Sequence, residues 1–277
     1  MKRIVTVQDI SAVGKCSLTV ALPIISACGV ECAVMPTAVL STHTQFSGFT
    51  FHDLTEEIAP ITAHWKKEGL DFSAVYTGYL GSFEQIRLVE EMYDTLKTPE
   101  TLLIVDPAMA DGGKLYHGFT PEFALRMGKL CTRADLILPN LTEACFMLEE
   151  DYPAEYDRPY IQSLLKRLCA TGAKRAALTG VSYEEGRLGV EMYDSTTGKF
   201  FSYFNEHLPV SFHGTGDIFA SAVVGVKSLG KSFEEALTVA VDYTLECIRL
   251  TLKDPDHPTY GVNFEEAIPY LISLLQK

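Results

Sequence analysis

The chain of 277 residues is short of basic charge: 23 Lys and Arg stand against 36 Asp and Glu, a formal net charge of −13. Nucleic-acid backbones are gripped by clustered cations, so a nucleic-acid partner is excluded as an expectation. A nucleotide is not, because backbone amides and a metal ion can hold its phosphates. Long apolar runs are also missing. The longest, such as residues 19–27, are too short and too interrupted to cross a bilayer. Residues 1–5 enter an apolar strand-like run without a secretory h-region, so the expectation is a soluble, cytoplasmic protein with no membrane partner. Paired cysteines are lacking too: seven are scattered at 16, 28, 32, 131, 145, 169 and 247. Only Cys28 and Cys32 lie close, and no second pair or nearby His completes a zinc pattern. Reduced, mostly buried thiols are the simplest reading. Neither a Ser, Gly or Pro-rich linker nor a fixed-period repeat divides the chain, so residues 1–277 are expected to form one domain.

What is present is alternation. Strand-like runs at 4–8, 32–40, 74–80, 102–106, 136–138 and 175–179 are interleaved with helical periodicity at 17–27, 54–65, 83–96, 121–130, 142–148 and 160–170. Residues 188–193 and 200–204 are two β-like runs around Thr196-Thr197-Gly198, which predicts an antiparallel hairpin. The hairpin is expected either to cover a site or to offer an assembly surface. Two helices, 216–229 and 233–252, take the chain toward its end. This order predicts a mostly parallel sheet covered on both faces. In such sheets ligands sit beyond the carboxyl ends of the strands.

Those ends carry Asp106 after Leu103-Ile104-Val105, Asn140 with Glu143 after Leu136-Ile137-Leu138-Pro139, and Thr179 after Ala176-Ala177-Leu178. Each alone reads as a helix cap or turn former. Together, at successive strand ends, they suit a magnesium–nucleotide site built from hard oxygen ligands. His213-Gly214-Thr215-Gly216-Asp217 opens a helical run at 218–226. Two glycines let backbone N–H groups approach a ligand, and the helix start adds partial positive charge. That arrangement suits negative charge growing on a transferred phosphoryl group, with Asp217 placed to take a hydroxyl proton. A plain Gly-rich helix entry remains the equal alternative. Ser41-Thr42-His43-Thr44-Gln45-Phe46 sets hydroxyl, imidazole and amide groups beside aromatics, as a polar heteroaromatic ligand requires. Thr77-Gly78-Tyr79-Leu80-Gly81-Ser82 offers a stacking ring or, equally, a glycine-lined turn. Gly14-Lys15-Cys16-Ser17 is not a phosphate-binding P-loop: Asp9 stands where that motif's first Gly must be, and Cys16 where its Ser or Thr must be. Asn140-Leu141-Thr142 matches a glycosylation sequon but lacks a secretory context.

In this order the motifs resemble those of ribokinase-like kinases, and of pyridoxal kinases among them. Gly214-Thr215-Gly216-Asp217 is similar to the superfamily's anion-hole and base motif. Thr42-His43-Thr44-Gln45 and Gly78-Tyr79-Leu80-Gly81-Ser82 resemble substrate-side motifs of pyridoxal kinases. Asp106-Pro107-Ala108-Met109 is similar to their Asp-Pro-Val-Met segment, and Asn140-Leu141-Thr142-Glu143 to their Asn-x-x-Glu motif. The resemblance implies a three-layer α/β/α sandwich and ATP-dependent phosphorylation of the 5′-hydroxymethyl group of pyridoxal, pyridoxamine or pyridoxine. It implies Asp217 as base, with Gly214, Thr215 and Gly216 around the transferred phosphate. Asp106 and Glu143 would act on the Mg²⁺–ATP side, and Asn140 and Thr179 near the phosphates. His43, Thr44 and Tyr79, with Thr42 and Asp9, would line the vitamer pocket. Members are commonly homodimers, and some need a monovalent cation. Two departures stand out. Asp9 replaces a Ser common in pyridoxal kinases, which suggests a preference for pyridoxamine. His213 precedes Gly-Thr-Gly as in hydroxymethylpyrimidine kinases, although those usually carry Cys where this chain has Asp217. A hydroxymethylpyrimidine kinase is therefore the second reading, and a non-catalytic vitamer-binding protein on this fold the third. Asp217 together with Glu143 speaks against the third, and the lack of a Gly-x-Gly-x-x-Gly turn after the first strand against an oxidoreductase.

Overall fold

A computed structural model describes residues 2–276. Its elements run β1 (Arg3–Ser11), α1 (Leu18–Ala27), β2 (Glu31–Leu40), β3 (Phe51–Asp53), α2 (Thr55–Lys67), β4 (Ala74–Thr77), α3 (Phe83–Leu96), β5 (Leu102–Val105), β6 (Ala110–Asp111), β7 (Lys114–Leu115), α4 (Pro121–Cys131), β8 (Leu136–Ile137), α5 (Leu141–Met147), α6 (Arg158–Ala170), β9 (Arg175–Val181), β10 (Arg187–Asp194), β11 (Lys199–Glu206), α7 (Thr215–Ser228), α8 (Phe233–Lys253) and α9 (Phe264–Leu275).

Nine strands form one sheet in the order β11-β10-β9-β8-β5-β4-β1-β2-β3, with β6 and β7 as a separate pair. The links from β9 through β8, β5, β4 and β1 to β2 are all parallel. Antiparallel neighbours close both ends, β3 on β2 and the β10–β11 hairpin on β9. Strand alternation sends side chains to two cores. Val5, Val7, Val75, Leu103, Val105, Ile137 and Leu178 pack with α2–α6 residues such as Ile58, Ile86, Phe123 and Leu164. Ile4, Tyr76, Ile104, Leu136 and Ala177 face the other way, onto Val20 and Ile24 of α1, Val223 of α7, Leu237 of α8 and Leu271 of α9. Strands buried on both faces must be apolar throughout, which is why their sequences read as continuous runs. Truncating a fully buried residue such as Ile24 to Ala costs on the order of 2–5 kcal/mol at such packing density.

Local signals set the helix starts. Thr120 caps α4 by accepting from the Phe123 N–H, with Pro121 opening the helix, and Asp157 caps α6 by accepting from Tyr160. Ser232 and Glu235 form a capping box on α8. Helices α1 and α7 touch so closely that a methyl group on Gly225 would lie 2.6 Å from Cys28 Sγ. At the other end the Lys15 carbonyl, just before α1, lies against Gly214, so the two helices also start side by side.

Some elements were not foreseen from sequence. β3, β6 and β7 are only two or three residues long, too short to show alternation. α9 follows α8, beyond the two helices expected to take the chain toward its end; Pro269 sits inside it and Asn263 makes no side-chain cap, so its start is not announced. The run at 200–204 lies in β11 and extends the sheet instead of folding over its carboxyl edge, with Tyr203 and Asn205 donating to Asp242 of α8 at 2.8 Å each. No helix among the described residues is long and apolar enough to cross a membrane.

Candidate active site

Every residue singled out at a strand end stands at the carboxyl edge, but the structure sorts them by occupation. After β8, Asn140 Oδ1 accepts from the Glu143 N–H at 3.0 Å while Glu143 Oε2 accepts from the Asn140 N–H at 2.9 Å, a complete capping box on α5. Glu143 Oε1 also accepts from the Met109 N–H at 3.0 Å, and Asn140 Nδ2 donates to the Ala110 carbonyl at 2.7 Å. This pair therefore ties the segment after Asp106 to the start of α5. Thr179 joins the same seam, its N–H donating to Pro139 O at 2.9 Å and its strand bridging to Asn140.

Asp106 differs. It is buried, and it takes part in no hydrogen bond that would steady its charge. Burial, then the neighbouring Glu143 and Asp217 carboxylates, push its proton affinity well above the ordinary carboxylate range. Glu143 is pushed up as well, chiefly by burial, with its three backbone donors pulling the other way. Among the described residues no Lys or Arg pairs with Asp9, Asp106, Glu143 or Asp217. No three acidic, His or Cys side chains there form a metal cage either.

The start of α7 is open. Gly214 takes φ 82°, and a Cβ there would sit 2.1 Å from the Lys15 carbonyl oxygen, so only glycine fits. No side chain caps the helix, and a Cβ on Gly216 would meet nothing within 4 Å. The first N–H groups of α7 are thus left facing space, which favours an anion. Asp217, in the first turn and half-buried, has its proton affinity raised to about 6. Burial is the largest cause; the nearby Ser17 backbone pulls downward and the Asp9 charge adds a push upward.

The turn facing α7 is 12–17, which includes the 14–17 stretch that fails as a P-loop. It borders the site for another reason. Lys15 and Ser17 both adopt positive φ, 51° and 52°, a conformation that costs non-glycine residues on the order of 1–3 kcal/mol each. Asp9, at the end of β1, holds the turn from below: its two oxygens accept from Ser11 Oγ at 2.9 Å and Ser17 Oγ at 2.6 Å. From outside, Lys15 Nζ donates to Glu265 of α9 at 2.7 Å.

On the other flank, His43 is buried under an aromatic group. Its ring lies 4.4 Å from that of His213, 5.1 Å from Phe46 and 6.4 Å from Tyr260, centroid to centroid. The Gln45 N–H donates to Nδ1, which leaves the proton on Nε2 to be donated to the Tyr260 carbonyl at 3.1 Å. Burial lowers the proton affinity of both imidazoles, His213 to about 4, so the pair is neutral. Thr42 Oγ1 is buried without a partner, and Thr44 is exposed. Tyr79 stacks on Phe119 at 5.5 Å, and the Asp9 charge reaches its phenol. Tyr260, Lys15, Ser17 and Phe119 were not found from sequence. Only Lys15 and Ser17 lie in a segment weighed from sequence, residues 14–17, where the P-loop match fails and no role is assigned.

Sheet order, the three layers and the open turn at α7 put the chain in the ribokinase-like class of kinases. The sequence profile of the family described as Phosphomethylpyrimidine kinase matches residues 21–260, and the chain belongs to that family. It is similar over 98% of its length to a candidate phosphomethylpyrimidine kinase of Bacteroides thetaiotaomicron, with 37% identity, a TM-score of 0.94 and 93% of that chain covered. An orthorhombic form of that protein contains pyridoxal. The pyridoxal kinase of Lactobacillus plantarum is 29% identical, with a TM-score of 0.90 over 99% of this chain and 98% of its own. The pyridoxine/pyridoxal/pyridoxamine kinase of Bordetella avium is 24% identical over 261 residues, 90% of this chain and 85% of that protein.

Proposed function

We propose that the chain transfers the γ-phosphate of ATP to the 5′-hydroxymethyl group of B6 vitamers. The observation that carries the reading is Asp217: an acid with its proton affinity near 6, set in the first turn of a helix whose N–H groups are left open by Gly214 and Gly216. At neutral pH it is ionised yet basic enough to take a hydroxyl proton as the oxygen attacks. The open N–H groups and the α7 dipole stabilise the charge on the phosphoryl oxygens in flight. His43, fixed as the neutral Nε2–H tautomer, gives the pocket wall a set orientation beside His213 and Phe46.

A magnesium ion suits the Asp106 side: a buried carboxylate with no donor and no basic neighbour calls for a cation. Asp106 would hold it, with Glu143 nearby but committed to three backbone amides. Bound with the nucleotide, the ion would neutralise charge on the β- and γ-phosphates.

The vitamer assignment is supported by Asp217 standing where hydroxymethylpyrimidine kinases usually carry Cys, and by the pyridoxal held in the Bacteroides relative. His213 and the family profile favour the second reading, a hydroxymethylpyrimidine kinase. Both are tested by following ATP consumption with Mg²⁺ and, separately, pyridoxal, pyridoxamine, pyridoxine and hydroxymethylpyrimidine. Turnover with the vitamers is the expected result. Turnover with hydroxymethylpyrimidine alone would transfer the assignment to the second reading.

A further inference from the structure

Sequence alone suggests that Asp9 meets an amine of the substrate, but both of its carboxylate oxygens are already engaged. Oδ1 accepts from Ser17 Oγ at 2.6 Å and Oδ2 from Ser11 Oγ at 2.9 Å, and the residue is only 5% exposed to solvent. That carboxylate keeps lone pairs beyond its two hydroxyl partners, but its burial leaves a ligand little access to them. What it holds is more informative. Ser17 does not cap α1 with its hydroxyl, because that hydroxyl is turned to Asp9. Its backbone sits at φ 52° and ψ −134°, outside the conformations a serine adopts unaided. The same turn presses its Lys15 carbonyl against Gly214, leaving no room even for a methyl group. One strained turn thus braces the proposed phosphate cradle, three residues before the proposed base, and Asp9 is the group that fastens it from within.

We infer that Asp9 is a positioning residue: through Ser17 it holds the 15–17 turn against Gly214, and so sets the α7 entrance on which Asp217 stands. The inference rests on Asp217 as the base and goes beyond the choice of substrate. Asn at position 9 can still accept from one serine and donate to the other, so it preserves the turn without the charge. Ala preserves neither bond. Ser17→Ala removes the hydroxyl that Asp9 holds, and its loss should resemble that of Asp9→Ala.

The test measures kcat and KM for pyridoxal and for pyridoxamine in wild type, Asp9→Ala, Asp9→Asn and Ser17→Ala. Misplacing a catalytic group by about an ångström lowers turnover on the order of 10²-fold. Asp9→Ala and Ser17→Ala should therefore lose about 10–100-fold in kcat on both vitamers with KM little changed, and Asp9→Asn should recover most of it. A KM rise confined to pyridoxamine, equally large in Asp9→Ala and Asp9→Asn, would overturn the inference and make Asp9 a direct partner of the substrate amine. A second arm does not depend on the substrate: amide hydrogen exchange of Ala21, whose N–H donates to the Ser17 carbonyl at 2.9 Å, read by NMR, should be protected in wild type and Asp9→Asn and less protected in Asp9→Ala. Equal protection in all three would overturn the inference even if no vitamer were turned over, whereas absent turnover with the expected exchange pattern would remove only the vitamer assignment.

Discussion

Two helix entrances at the same sheet edge carry an acid in their first turn, and they are built in opposite ways. At α5 the acid is Glu143. Its oxygens are taken by the N–H groups of Asn140 and Met109, and Asn140 returns a cap, so acid and cap satisfy each other within the chain. At α7 the acid is Asp217; no side chain caps the helix, and the space beside Gly216 is empty. The closed entrance spends its hydrogen bonds on holding the fold together. The open one keeps its donors for something that arrives. An acid at a helix start is thus not informative until one asks whether its neighbours have satisfied it.

The contrast is most easily broken at Asp217. Asp217→Asn should lower kcat by about 10²–10⁴-fold, the range for a lost general base, while the protein stays folded. A variant at wild-type rate would remove the mechanism. The wild-type rate should itself fall as pH drops through about 6, where Asp217 takes up its proton. The same substitution bears on stability. Since the folded-state proton affinity of Asp217 is raised, the acid favours the fold when protonated and penalises it once ionised. The penalty is absent below about pH 4 and complete above about 6, so Asp217→Asn should be more stable than wild type by on the order of 2–3 kcal/mol at pH 8 and equal to it near pH 4. Denaturant titrations at the two pH values check the sign.

Next in size comes a glycine pair. Gly214→Ala places a methyl group 2.1 Å from the Lys15 carbonyl at φ 82° and should cost about 3 kcal/mol or more. Gly216→Ala, with open space and helical backbone, should change stability by less than about 1 kcal/mol, so any rate it loses reports on room for a ligand. Equal destabilisation of both would mean that the α7 entrance is packed, not open. The smallest effect is expected at the closed entrance. Asn140→Ala uncaps Glu143 and strips the Ala110 carbonyl of its donor, for a loss of about 1–2 kcal/mol in a denaturant titration. If that variant were fully stable but inactive, Asn140 would belong with Asp217 and the contrast would dissolve.

How much of this could be read without coordinates follows from distance along the chain. The parallel strands were legible because burial on both faces leaves apolar runs, as at Leu103-Ile104-Val105. The hairpin was legible from Thr196-Thr197-Gly198 between two alternating runs. The Asn140–Glu143 pair was visible as both a cap and a ligand motif, since the residues lie three apart, and only geometry showed the capping box complete. Asp9 and Ser17 lie eight apart, yet their bond depends on a turn with two positive-φ residues that no local preference forecasts. The His43–Tyr260 bond joins loops 217 positions apart, which no pattern within either loop encodes. Helix α9 was hidden by its interior Pro269.

The Lys15–Glu265 bond spans 250 positions, from the turn after the first strand to the first turn of the last helix. Together with the Tyr260 carbonyl on His43, it makes the end of the chain a keystone of an apparatus whose other parts are translated early. Synthesis proceeds at about 5–20 residues per second. The glycine turn at Gly214 can therefore leave the ribosome seconds before the parts that brace its surroundings. A nascent chain carries the acids long before it carries the frame that aims them.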